Sequence, residues 1–309
     1  MKRKRIQYNE LSEEIYSKKY WGTSKLIAIG IILLLLGFIL NFSIEDKVNK
    51  WLLLTLSNNN ECPIIFEKLE FSYFLPKVII KKPVILGACF GQINNRLSFQ
   101  TIKLSLHSPH FFPPGIKFHF SVNSGKTNIN IYPVISFFSQ YLEIEDTKID
   151  TQLFSVMTND NTSPIGGIVN VDGFLKITSG ILEDGELKIK SNNFYLPSQN
   201  IKGFELTTIN LQHLSIATHF TNKMTMQIDH IEIGQADAPL ELKLKGNLAI
   251  NQGMFSNSML ELRGSLHLSN FILSNFAFLK LFLPQQNTSG TYEMGISGPL
   301  NNLAPPKFN

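Results

Sequence analysis

The chain has 309 residues, 43% of them apolar and 17% charged, with a formal net charge of +4. That apolar fraction supports a packed core and excludes a disordered chain. Seven bases against three acids in residues 1–25 account for the whole excess. The remainder is neutral, so its charge offers no bias toward nucleic acid.

After the basic tail (1–25), Leu26–Leu40 reads LIAIGIILLLLGFIL without a charge. Extended to Ile44 it has 19 residues, with Asn41 and Ser43 its only polar side chains. At 1.5 Å per residue it is roughly 28 Å long, close to a bilayer core. Leu26, Ile32, Leu36 and Leu40 are expected to face lipid in a single transmembrane helix. Trp21 and Lys25 suit the headgroup boundary at one end, and Glu45 and Asp46 follow the other. The positive-inside bias puts the N-terminus in the cytoplasm. A cleaved signal peptide is the poorer reading, because the tail is long and no small-residue site follows. A buried core helix would normally show a polar face, and this one has none.

Residues 45–60 form an amphipathic juxtamembrane linker, with Val48, Trp51, Leu52, Leu54 and Leu56 apolar. From 61 to 309 the period changes to two. Ile102, Leu104 and Leu106 alternate with polar residues, as do Ile116, Phe118 and Phe120. Asn123–Lys126 is a hairpin-type turn. Ile168–Ile177 alternates around Gly173, and Glu183-Asp184-Gly185 reads as a turn. Leu240, Leu242, Leu244, Leu248 and Ile250 share one parity, opposite Glu241, Lys243, Lys245 and Asn247. Such alternation describes antiparallel strands with one apolar and one wet face. Glycine recurs within these runs, at Gly173, Gly246, Gly264 and Gly298. Mid-strand glycine marks bends or bulges, so a curved sheet is expected. Two segments carry helical spacing: Tyr132–Leu142, with Pro133 in its first turn, and Phe271–Leu283. The fold class is therefore mainly β. One N-terminal transmembrane helix precedes a curved, largely antiparallel sheet with a few short helices.

No catalytic or cofactor motif is present. His107 and His110 flank Pro109 in an expected loop, and His119 lies in a strand, without carboxylates or cysteines at ligand spacing. His213, His219, His230 and His267 are scattered singly. The acidic groups at Glu143–Asp146 and Glu183–Glu186 read as solvated turns. Phe111-Phe112-Pro113-Pro114-Gly115 is a turn with an apolar tip, either exposed to lipid or a partner or folded back on the sheet. Cys62 and Cys89 leave two alternatives: a disulfide closing a 27-residue loop, or two buried thiols. No metal, cofactor or enzymatic activity is expected.

This organisation resembles the bacterial type II secretion system protein N family. The likeness is carried mostly by LELKLKGNLAINQGMFSNSMLELRGSLHLSNFIL at 240–273 and SGTYEMGISGPLNNLAPP at 289–306. More distantly it is similar to AsmA-like periplasmic proteins, thought to handle lipids and outer-membrane assembly. The resemblance implies an inner-membrane protein with a periplasmic sheet, a structural accessory whose partners are the bilayer and other secretion-system proteins. Leu240, Leu242, Leu244, Leu248 and Ile250 are either a closed core face or, in the alternative reading, the lining of an apolar β-groove for phospholipid or lipopolysaccharide. A solvent-open line of aliphatics on the sheet favours the groove. An apolar face covered by the two helices favours the scaffold.

Overall fold

In a computed structural model the described residues are 23–41, 44–59, 62–72, 76–90, 95–111, 114–136, 139–157, 163–178, 180–201, 204–222, 224–235, 237–251, 253–276, 283–284 and 290–308. Contacts divide the chain into two units, one ending at Trp51 and one running from Leu52 to Asn309. Helix α1 (Thr23–Asn41) belongs to the first, and α2 (Ile44–Ser57) straddles the division. Most of the basic tail lies outside the described residues. So do the side chains of Leu26, Leu36 and Leu40, whereas Ile32 is exposed. Among the described residues, no helix is long and apolar enough to cross a membrane.

The second unit is dominated by one antiparallel sheet of fourteen strands. In chain order they are β1 (Lys68–Ser72), β2 (Lys77–Lys81), β3 (Thr101–Phe111), β4 (Pro114–Ser124), β5 (Thr127–Ser136), β6 (Gln140–Asp150) and β7 (Ile168–Thr178). There follow β8 (Ile181–Leu196), β9 (Ile209–Asn222), β10 (Thr225–Ile233), β11 (Leu240–Ala249), β12 (Met259–Leu268), β13 (Tyr292–Pro299) and β14 (Lys307–Phe308). Each strand pairs with its neighbours in sequence, so the sheet is an unbroken meander; β1 and β14 are its edges and it is not closed. A three-stranded sheet of Ile64–Ile65, Val84–Leu86 and Arg96–Ser98 accompanies it, and Cys62 is disulfide-bonded to Cys89 beside it.

Alternate turns fall at opposite rims. The near rim carries the chain's approach to β1 and the turns β4–β5, β6–β7, β8–β9, β10–β11 and β12–β13. The far rim carries β1–β2, β3–β4, β5–β6, β7–β8, β9–β10, β11–β12 and β13–β14. Helix α3 (Asn270–Asn275) stands at the near rim; its Ser269 cap accepts from the Ile272 N–H.

The expected helix over Tyr132–Leu142 is instead the end of β5 and the start of β6, with Pro133 opposite Leu142. Val134 on the polar face is buried, beside Lys117 and Tyr141 in register, whereas Ile135 on the apolar face is exposed. Both parities are then apolar, and the strand period is erased. The pairing of β4 with β5 skips Tyr132 and Pro133, so the proline's missing N–H disrupts nothing there. The helix expected over Phe271–Leu283 is seen at Asn270–Asn275, and residues 277–282 lie outside the described residues. Glu183–Gly185 is strand, not turn. The chain reverses earlier, at Gly180, where φ is +78°. Likewise Glu143–Asp146 belongs to β6, and His107 and His110 belong to β3.

Two devices bend the sheet. Bulges shift the register in β5–β6, β6–β7, β7–β8 and β9–β10, and each bulge increases local twist. At the β5 bulge Thr147 supplies what the ladder lacks. Its hydroxyl accepts from the Asn130 N–H and donates to the Asn130 carbonyl, both at 2.9 Å. The second device is a glycine crease. Gly246 faces Leu262 and Gly264 faces Leu244 across β11–β12. A Cβ at Gly246 would lie 1.9 Å from the Glu261 carbonyl oxygen, and one at Gly264 would lie 1.8 Å from that of Lys243.

Candidate functional site: an apolar face open at one end

Residues paired directly across antiparallel strands share a face. The registers therefore join one apolar surface across the meander. It runs through Leu69–Ile80, Ile102–Val122, Phe120–Ile131 and Leu142–Leu175. It continues through Ile189–Ile216, Ile231–Leu244, Leu242–Leu266 and Leu262–Ile296.

The opposite face is ionic. Lys117 pairs with Glu143, Lys176 with Glu183 at 3.2 Å, Lys243 with Glu241 at 2.6 Å, and Arg263 with Glu261 at 2.7 Å. The Glu241 carboxylate, first by hydrogen bond and then by charge, holds the Lys243 ammonium above the usual lysine range. His119 stacks on Tyr132 at 4.7 Å between ring centroids, and Lys117 stands 4.8 Å over the same ring. Depressions of about 410 and 420 Å³ on this face are lined by Asp229, Lys245, Glu261 and Arg263, and by Glu293 and Lys307. Among the described residues no three His, Cys, Asp or Glu side chains gather as a metal site.

The apolar face is covered unevenly. Near the β4–β5 turn, Leu97 and Phe99 of the small lobe pack with Val122, Ile102 and Ile129. Further along the near rim, Ile272 and Leu273 of α3 pack with Leu214, Leu268 and Tyr292. The expected groove positions are mostly core. Leu244 (5% exposed), Leu248 and Ile250 are buried with Ile228, Leu262 and Met294, while Leu240 and Leu242 are half-buried. The open part lies elsewhere. From the middle of β3 to the far rim of β4 and β5, Leu104 is 43% exposed, Leu106 37%, Ile116 49% and Ile135 56%. Leu104 opposes Phe120, Leu106 opposes Phe118, and Ile116 opposes Ile135, so all four belong to the same face. Their alternation was legible in the sequence. Their exposure was not, because it follows from which end the small lobe covers.

The open strip is aliphatic, formed by Leu104, Leu106, Ile116 and Ile135. What it can do chemically is remove hydrocarbon from water, at about 25 cal/mol per Å². Compared with known family models, characterised proteins and solved structures, the chain matches none.

Proposed function

We propose that this is a non-enzymatic, membrane-anchored protein whose sheet shields acyl chains of phospholipid or lipopolysaccharide along its apolar face. The carrying observation is the open strip Leu104–Leu106–Ile116–Ile135, continuous with the buried aliphatics of the same face. Among the described residues, one of the two segments expected to cover the face as helices is strand, and α3 packs at the other rim. The anchor is the uncharged Leu26–Ile44 segment, with the N-terminus cytoplasmic and the sheet in the bacterial periplasm. In its support, Ile27, Ile31, Ile32, Leu33 and Leu34 are all exposed around α1, which suits hydrocarbon and is costly in water.

A second reading is a scaffold for other secretion-system proteins, as the resemblance to protein N implies. The closed packing of Leu244, Leu248 and Ile250 favours it, and β1 and β14, the edge strands of the sheet, are where a partner strand would pair. Native mass spectrometry of the full chain in mild detergent separates the two. A groove retains phospholipid, and Leu106→Asp with Ile135→Asp abolishes retention without unfolding the chain. A scaffold retains none in either form.

A further inference from the structure

The far rim differs from the near rim in what its turns present to solvent. At β3–β4 it is Phe111, 76% exposed, and at β9–β10 it is Met224, 62% exposed. Ile181 at β7–β8, Met254 and Phe255 at β11–β12, and Leu303 at β13–β14 are exposed as well. In sequence the connections between these strands contain one charged residue, Lys223 beside Met224. The near rim also exposes large side chains, at Ile65 and Phe271, but Lys82, Arg96, Lys126 and Asp237 stand among its connections.

We propose that the far rim is a membrane-docking edge: its hairpin tips sink into the headgroup–acyl boundary of a bilayer. This rests on the acyl-chain reading of the sheet and says where such chains enter. Three features select a bilayer over a protein. Successive far-rim turns are two strands apart, about 10 Å. A row of single apolar tips at that spacing gives no contiguous core for a protein interface, whereas each tip can dip separately into lipid. In sequence the far-rim connections carry a single charge, Lys223, and a lysine can keep its ammonium among the headgroups while its neighbours enter the acyl boundary. Finally, the open strip of the apolar face ends at this rim, beside Phe111, so a chain leaving the bilayer meets aliphatic side chains without crossing water.

The test uses the full chain held in nanodiscs of phosphatidylethanolamine and phosphatidylglycerol. Both native cysteines are in the disulfide, so one introduced thiol takes an environment-sensitive fluorophore alone. Met254→Cys labels the far rim and Lys126→Cys the near rim. Doxyl-labelled lipid is placed in the nanodisc in one arm and in added vesicles of the same lipids in the other. Docking gives a blue-shifted, quenched label at 254 in at least one arm, and neither change at 126. Phe111→Ser with Phe255→Ser weakens that quenching by about tenfold or more, since two large apolar side chains are lost. No quenching at 254 in either arm, or equal quenching at both positions, overturns the proposal. Retained lipid without quenching at 254 leaves the groove standing and removes the docking rim. Quenching at 254 without retained lipid does the reverse.

Discussion

Replacing Gly264 by Ala places a methyl group 1.8 Å from the Lys243 carbonyl oxygen. An ordinary carbon–oxygen contact is about 3.3 Å, so β11 and β12 must part by roughly 1.5 Å there. The obstacle is backbone, so no rotamer change relieves it. Parting breaks about two ladder hydrogen bonds, near 1 kcal/mol each, and adds a packing strain of 1–3 kcal/mol. The expected loss is about 3–5 kcal/mol. Gly246→Ala, 1.9 Å from the Glu261 carbonyl oxygen, should cost the same. Gly295→Ala on β13 is the matched control. Its nearest atom beyond the adjoining residues is 3.6 Å away, so it should be neutral or stabilising by up to about 1 kcal/mol. Urea unfolding of the three variants, followed by far-UV circular dichroism, reads the differences as shifts in midpoint at constant slope. If Gly264→Ala is tolerated as well as Gly295→Ala, the close approach of β11 and β12 is not what holds this part of the sheet.

Two threonines on the apolar face should respond oppositely to the same substitution. Thr147→Val orphans the Asn130 N–H and carbonyl at the β5 bulge and should cost about 1–3 kcal/mol in urea unfolding. Thr218 is buried and its hydroxyl has no partner among the described residues, so Thr218→Val should be neutral or stabilising by about 1 kcal/mol. Replacing Cys62 and Cys89 by Ser opens a 27-residue loop and should destabilise the small lobe by up to about 3.5 kcal/mol, read by hydrogen exchange of residues 84–98. Lys81 and then Lys68 hold the Glu70 carboxyl below the usual carboxylate range. A lowered carboxyl stabilises fully above the ordinary glutamate range and stops as pH falls through its depressed value. Amide protection of β1 should therefore stay flat at neutral pH and drop only in acid.

How much was legible in the sequence depends on whether one face of a strand is polar. Leu240–Leu248 alternates with charged residues, and its strand, face and Gly246 bend could all be read from that pattern. At Ile131–Ile135 both faces are apolar because Val134 is buried on the ionic side, and a helix was the natural misreading. Glu183-Asp184-Gly185 has turn composition. Its glycine serves instead the approach of β7 to β8, where a Cβ would lie 2.8 Å from the Phe174 carbonyl oxygen. The candidate site was half legible. Alternation marks which side chains share the apolar face, but coverage depends on the small lobe and α3, which are joined to it only in three dimensions. The open strip therefore moved from Leu240–Ile250 to Leu104–Ile135.

The most direct test of an acyl-chain groove places a photoreactive side chain at Leu106 and, one residue away on the ionic face, at Ser105, in native membranes. A groove predicts phospholipid or lipopolysaccharide adducts at 106 and none at 105. Protein adducts alone at 106, or lipid equally at both positions, would contradict it.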